Sequence, residues 1–587
     1  MKREKILLFG RVAALDLLVP LFSCFGSILI LYPEIIGVLK SHILFFGDIW
    51  HLGDGNAIFY FDHAAKVLFK QENLFYTKRL LFPDGASITG SYFSCLPLSI
   101  IFAPIVYLSG LPLGFNLSII IILVGNGLGM YILGRIFIKH RFISLLGAVM
   151  YTVAPPLIGE IFILQRPMTA CWGPAMAGVG LFYLYLKNKS SWQIGFLAGG
   201  FLVCIGIIYP FNLVYLSIWI LAIWVAAIRE DNTKINTIRL FKKLGLMLAI
   251  VLITVGLWTI WILRVNSTLV KYQSAYIAEN ERVLHFPLNV FLAGIDVTRD
   301  ICNYRLGIPL PLTIGFILSV FLLLCEIKPL LPHIIGGIWA LWVALGPRID
   351  LASVKEWCMV SQKAIPAWPW MPHVFMATHI PGFGKMNAQR AIFVLIGIMI
   401  LVLMKGMARI RRSVSGKNWV LFLAIFTVLF IWWSAPRYSK HYIQWPNYSG
   451  ISIAQSDKVV LDLPINMKLL PLFLNMLHHP ASFNGVYIKD SEFSIEPKSG
   501  KNLKLWRENR FLNSLINISK NKPPLLVQTQ DLEELTNIGL RHIFLWKGYC
   551  SGSYRGDKEC DRDYVFLLET LGPPIYMSEE LVIFRIT

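Results

Sequence analysis

Gly114–Ile138 reads GFNLSIIIILVGNGLGMYILGRIFI, and Lys139-His140-Arg141 follow at once. Only Arg135, near its end, is charged. The run exceeds the roughly 20 apolar positions that a helix needs to cross a bilayer. The basic cluster at its end marks the cytoplasmic side, because loops there collect Lys and Arg.

The same reading extends outward in both directions. Ten more stretches have the length and composition of spans: Val12–Tyr32, Phe142–Ile158, Thr169–Leu186, Trp192–Tyr209, Phe211–Ile228, Leu244–Leu263, Ile308–Glu326, Leu331–Gly346, Gln389–Met407 and Asn418–Ser434. The whole chain of 587 residues is 56% hydrophobic and 15% charged, against roughly 45–50% and 25% for a soluble chain. That excludes a water-soluble enzyme and a disordered chain. Nine cysteines are too few for a disulfide scaffold of this length. The expected architecture is an α-helical polytopic membrane protein with about eleven spans. The net charge is 54 − 34 = +20. It reads as a topology signal rather than a nucleic-acid footprint, since no soluble basic face exists to carry one.

Cys95–Pro112 is long and apolar but holds Pro97, Pro104 and Pro112, each without a backbone donor. If it crossed, the Arg135–Arg141 cluster would lie outside. It is therefore expected to be a juxtamembrane or re-entrant segment. The start Met1-Lys2-Arg3-Glu4-Lys5 places the N-terminus in the cytoplasm, and its lead into a full apolar helix reads as an anchor. Lys187 and Lys189, Arg229–Lys243 and Lys405–Lys417 then fall inside. Pro33–Tyr92, Gly159–Met168, Arg264–Gly307, Pro347–Ala388 and the tail from Ala435 fall outside.

Residues 1–434 form the expected membrane domain, with 33–92 as its first extracytoplasmic loop. Residues 435–587 read as a small extracytoplasmic α/β domain. Lys458–Pro464 and His542–Trp546 read as strands, Asp531–Asn537 as a helix, and Gly539 as its stop. Asp563–Leu571, Gly572 and Leu581–Ile586 repeat helix, stop and strand. The sequence shows no phosphate loop, zinc spacing or nucleophile elbow.

The first outer loop contains Phe46-Gly47-Asp48-Ile49-Trp50-His51-Leu52-Gly53-Asp54-Gly55-Asn56, an amphipathic helix after it, and NLFYTKRLLFPDG at Asn73–Gly85. Gly134-Arg135 closes one span and Ala154-Pro155 the next. Later come IPGFGKMNAQR at Ile380–Arg390, VVLDLP, GLRHIF and a terminal VIFRI. In this order the pieces resemble the GT-C class of membrane glycosyltransferases, and within it the bacterial YfhO-like membrane proteins. The chain departs from the pattern at Lys385 and Ala388, where Arg and a nearby Pro are expected.

The resemblance implies a bacterial inner-membrane enzyme that takes a sugar from a polyprenyl-phosphate donor. Membrane lipid, the lipid-linked sugar and an envelope glycan, lipid or protein acceptor would be its partners. A divalent metal serves some members of the class, but the dispersed acids here do not define a site for one. A loop acid is the class's general base, and Asp54 between Gly53 and Gly55 is the first candidate, with Asp48 beside Trp50 and His51 the second. A loop acid or helix cap is the plain alternative for Asp54. Glu160 is the expected second acid, and a Glu160–Arg166 surface pair is its alternative. Asp84 reads as a turn residue. Asp62 and Glu72 fit the outer face of the amphipathic helix.

Arg390, Lys385 and His379 are the candidates to hold phosphate, with Arg166 and Arg305 as further cations. Tyr304 precedes its span as Arg305 does, and Trp368-Pro369-Trp370 reads as an interfacial belt. A transporter of lipid-linked sugars would need midplane polar groups, for which Asn126 and Asn212 are the candidates. A non-catalytic envelope scaffold is the remaining alternative. Cys550 and Cys560 flank a polar loop in the tail, where an oxidising compartment would pair them as a disulfide.

Overall fold

The architecture is that of a computed structural model. It describes residues 14–46, 56–69, 73–74, 76–77, 79, 86–87, 96–162, 166–187, 192–230, 234–265, 308–324, 327–345, 371–379, 388–413, 416–435, 442–445, 459–463, 481–482, 501–547, 558–579 and 581–586.

In chain order the helices are α1 (Ala14–Leu31), α2 (Asn56–Leu68), α3 (Leu96–Ser109), α4 (Leu113–Phe137), α5 (Arg141–Thr152), α6 (Pro155–Phe162), α7 (Gly173–Lys187) and α8 (Trp192–Ile208). They continue with α9 (Phe211–Glu230), α10 (Lys234–Val265), α11 (Leu310–Leu322), α12 (Leu331–Ala344), α13 (Pro372–His379), α14 (Ile392–Ser413) and α15 (Gly416–Ser434). Each expected span overlaps a helix. Among the described residues five segments are long and apolar enough to cross a membrane by themselves: Leu113–Phe137, Arg141–Phe162, Phe211–Glu230, Asn236–Trp261 and Ile392–Arg412. The chain is a multi-pass membrane protein.

The structure adds local detail to three of these expectations. The Phe142–Ile158 span breaks into α5 and α6, because Pro155 and Pro156 supply no donors and fit only a helix's first turn. The basic Arg229–Lys243 stretch is not all loop. Its Lys234–Lys243 part winds into α10, where its long straight side chains suit a helix. Cys95–Pro112 is largely helical despite its prolines. Pro97 sits in the first turn of α3, where its missing donor costs nothing, and Pro104 alone interrupts the interior. At 1.5 Å per residue, α3 is about 21 Å long, short of a ~30 Å hydrocarbon core.

The chain divides into two compact units, residues 1–39 with 116–440 and residues 40–115 with 441–587. In the first, α14 is the central helix: it packs on α5, α11 and α12, and Ile392–Ile396 and Ile398–Met404 are buried. α10 lies at the periphery, with only 17% of its most apolar window buried. At two glycines the backbones of α4 and α7 nearly touch. A Cβ on Gly129 would collide with the Gly173 carbonyl oxygen, and one on Gly173 with that of Gly125.

The second unit joins the first outer loop to the tail. β1 (His42–Phe46) pairs antiparallel with β4 (Tyr442–Gln444), with β2 (Tyr76–Thr77) and β3 (Ala86–Ser87) forming a separate small ribbon. α2 packs on α3, and Phe61 stacks on Phe102 at 6.1 Å. The tail holds a five-stranded sheet of order β6-β5-β7-β9-β8, made of β5 (Val459–Leu463), β6 (Ala481–Ser482), β7 (Leu540–Trp546), β8 (Tyr576–Met577) and β9 (Leu581–Arg585). β5 runs parallel to β6 and β7, and β9 is antiparallel to β7 and β8. Helices α16 (Lys501–Glu508) and α17 (Arg510–Ser519), which the sequence reading did not mark, come before α18 (Thr529–Asn537) and α19 (Lys558–Leu571), which each precede a strand in the expected order. Gly539 and Gly572 terminate α18 and α19 at φ +93° and +84°, a region that glycine enters without penalty. Val459, Leu461, Leu515, Leu545, Leu567 and Val582 are among the residues of the shared core. Buried Asp462 accepts a hydrogen bond from the Trp546 indole N–H at 3.0 Å.

Candidate functional site

Glu160 lies on α6, which begins at the Ala154-Pro155-Pro156 break. Its residue is 4% exposed, and Oε2 accepts the Thr169 hydroxyl proton at 2.7 Å. No cation pairs with it among the described residues, so the Glu160–Arg166 pair is not formed there. What joins these two residues is a backbone bond, from the Arg166 N–H to the Glu160 carbonyl, at 2.8 Å. A buried acid without a countercharge costs about 2.5–3.5 kcal/mol at a span's centre. One charged hydrogen bond returns about 1.5–3 kcal/mol.

The turn that presents Thr169 is tightly held. The Trp172 indole N–H donates to the Thr169 carbonyl at 2.8 Å. Asn126 Oδ1 accepts the Trp172 and Gly173 N–H groups, both at 2.8 Å, and Nδ2 donates to the Ala170 carbonyl at 2.6 Å. Asn126 thus caps α7 from the neighbouring helix α4. Asn212 Nδ2 points at the Ile205 carbonyl at 3.5 Å. Both midplane amides have backbone partners.

From this turn an aromatic chain runs to the start of α14. Trp172 lies 6.3 Å from the Tyr215 ring on α9 and 5.8 Å from that of Phe393. Tyr215 shares a side-chain hydrogen bond with Tyr209. The Arg390 guanidinium lies 4.4 Å from the Tyr209 ring centroid, a favourable cation–aromatic contact. Arg390 sits in the one-turn 3₁₀ helix Ala388–Ala391, and its Nε is buried with no hydrogen-bond partner among the described residues. The structure thus links Glu160 and Arg390, neighbours neither in sequence nor on one helix, through Thr169, Trp172, Tyr215 and Tyr209. None of these four carried a sequence motif. The Tyr209-Pro210 break between two apolar runs was the one usable signal.

In the other unit Asp62 does not lie on a solvated face, as its helical position predicts. It is largely buried between Arg79, at 2.7 Å, and Lys66, at 3.0 Å. Burial alone would raise its pKa, but Arg79 and Lys66 outweigh that and hold it below the ordinary carboxylate value. Arg79 also covers the Phe59 ring at 4.8 Å, and Phe59 stacks on His63. His63 is fully buried, and its Nε2–H donates to the Asn73 carbonyl at 2.9 Å. Burial and then the Arg79 charge push its pKa down to about 4. Asn73 and Arg79 belong to the NLFYTKRLLFPDG stretch, so this cluster ties that stretch to α2. A carboxylate between two cations has little proton affinity, and Asp62 is unsuited to act as a base.

Asp48, Asp54, Glu72, Asp84, Tyr304, Arg305, Trp368-Pro369-Trp370, Lys385 and Cys550 lie outside the described residues. His379 is the last residue of α13. Cys560 is buried and disulfide-bonded. Among the described residues no three His, Cys, Asp or Glu side chains converge as metal ligands.

Arabinofuranosyltransferase AftD from Mycobacteria is similar to this chain at a TM-score of 0.50 and 11% identity, over 98% of this chain and 42% of its own. The oligosaccharyltransferase of Archaeoglobus fulgidus gives 0.47 at 10% identity, over 95% of this chain and 71% of its own. ArnT from Cupriavidus metallidurans gives 0.41 at 11%, over 100% and 98%. The fold, carried by the likeness to AftD, is that of the GT-C membrane glycosyltransferases. No family model matches the chain, and no curated protein matches it.

Proposed function

We propose that this protein is a glycosyltransferase that moves a sugar from a polyprenyl-phosphate donor to an acceptor of the cell envelope, on the extracytoplasmic side. The observation that carries the reading is the linked pair of buried polar groups in a GT-C fold: among the described residues Glu160 is an acid without a cation and Arg390 a cation with an unsatisfied buried Nε. Such groups are costly unless a ligand uses them.

In the reaction the acceptor hydroxyl attacks the anomeric carbon as the sugar–phosphate bond breaks. Asp54 takes the hydroxyl proton, with Asp48 next in line, and such a base contributes about 10²–10⁴-fold. Arg390 holds the departing phosphate, assisted by Lys385, His379, Arg166 and Arg305. Glu160 hydrogen-bonds sugar or acceptor hydroxyls. The protein lies in a bacterial inner membrane with its N-terminus cytoplasmic and its tail, residues 435–587, outside. Cys560 then pairs with Cys550 in the oxidising space. The occupied amides of Asn126 and Asn212 give a transport reading no support.

Asp54→Asn should lower transfer by at least about 10²-fold while the protein still inserts and folds. Near-normal turnover would remove Asp54 as the base. Arg390→Lys should impair transfer less than Arg390→Ala, because charge survives but the planar fork is lost. Equal turnover in all three forms would make Arg390 a membrane anchor.

A further inference from the structure

The end of α14 remote from Arg390 carries a second, unassigned feature. Lys405, Arg409 and Arg412 follow at i, i+4 and i+7, which sets them on one face. Lys405 stands 15 residues from Arg390, about 22 Å along a helix. The three line a cavity of about 250 Å³, together with His333 and Glu230. Lys405 Nζ donates to the Pro329 carbonyl at 3.0 Å. His333 Nδ1 accepts the Trp219 indole N–H at 3.0 Å, so the ring's proton sits on Nε2. Among the described residues the one acid on the wall, Glu230, is already paired with Lys187. The cavity is therefore strongly positive.

A second cavity of about 550 Å³ adjoins it, and the two share Ala226, Glu230, Pro329 and Pro332. Its wall is apolar. Ile218, Leu221, Ala222 and Val225 form one face of α9, opposite Leu331 and Ile335 of α12. Leu221 and Ile335 are 44% and 39% exposed, as suits a wall facing hydrocarbon. Arg229, Glu230 and Lys328 line it as well.

A basic cavity opening into an apolar groove matches a molecule with an anionic head and a hydrocarbon chain. We propose that this is a binding site for an anionic phospholipid. Its phosphate lies among Lys405, Arg409 and Arg412, and one acyl chain lies along the groove between α9 and α12. Basic pockets between membrane helices recognise such headgroups by charge, and the groove adds the chain contact that a free anion lacks. The site is separate from the Glu160–Arg390 chain and stands whether or not the protein transfers sugar.

The test uses the full chain in detergent micelles, equilibrated with equal dioleoyl phosphatidylglycerol and dioleoyl phosphatidylcholine and analysed by native mass spectrometry. The intact protein should retain the anionic lipid at least about tenfold over the zwitterionic one, a difference of about 1.4 kcal/mol. Arg409→Gln with Arg412→Gln should bring that ratio to parity. Arg409→Lys with Arg412→Lys should preserve most of it, which keeps the test decisive if the neutral variant misfolds. Ala222→Trp should reduce retention of the diacyl lipid with the charges intact. Millimolar inorganic phosphate should not displace the lipid. An unchanged ratio in the neutral variant, full retention in Ala222→Trp, or displacement by phosphate would each overturn the proposal.

Discussion

Glu160 and Asp62 are both acids largely shielded from water, and they are held in opposite ways. Asp62 sits between two cations and takes part in a closed set of contacts with Phe59, His63 and Arg79. Among the described residues Glu160 has a single neutral donor, Thr169. Burial is therefore a poor marker of function by itself. The balance of charge around the acid separates a group that fixes a loop from one that still has charge to offer a ligand.

The largest expected effect breaks the compensated cluster. Asp62→Ala removes the carboxylate that Arg79 and Lys66 share in a partly buried site and should cost about 3–5 kcal/mol locally. Hydrogen exchange of the α2 amides reads this. Unchanged protection would mean that Asp62 is dispensable and the contrast with Glu160 false.

Acid sharpens the same comparison. His63 has a folded pKa of about 4 against 6.5 in its ordinary state. Between those values the unfolded chain holds the proton and the folded chain does not, so stability rises with pH across that window. It should be full above about pH 6.5 and fall as pH drops towards 4, by on the order of 3 kcal/mol in all. Asp62 is depressed, so its own contribution is lost only at still lower pH. His63→Gln should flatten the slope in α2 protection between pH 6.5 and 4, after correction for intrinsic exchange.

The smallest effect on stability is expected at Glu160. Glu160→Gln keeps an oxygen for the Thr169 hydroxyl and should change the melting temperature by only a few degrees at most, with a cost below about 1 kcal/mol. Transfer should nonetheless fall about tenfold or more. A large loss of stability with turnover intact would put Glu160 in the same structural class as Asp62.

The spans were legible because apolar runs of about 20 residues have few other readings. The tail's strands and helix stops were legible because Gly539, Gly572 and VVLDLP obey local rules. Asp62 was misread because helical periodicity shows which face a residue occupies, but not that Arg79 returns to cover it. That Cys95–Pro112 is mostly one helix was not legible, because proline spacing was weighed as a whole, while only Pro104 falls in the helix interior. Glu160 stood out by its place after a Pro-Pro break. The aromatic link to Arg390 did not, because it is assembled from residues far apart in sequence.

The β1–β4 ribbon sets a timetable. His42–Phe46 can find its partner Tyr442–Gln444 only after about 400 further residues have been made, and synthesis at about 5–20 residues per second takes roughly 20–80 s for that stretch. Through that interval the first loop carries an unpaired strand edge, a template for pairing with other chains. A strand made late thus completes one made early.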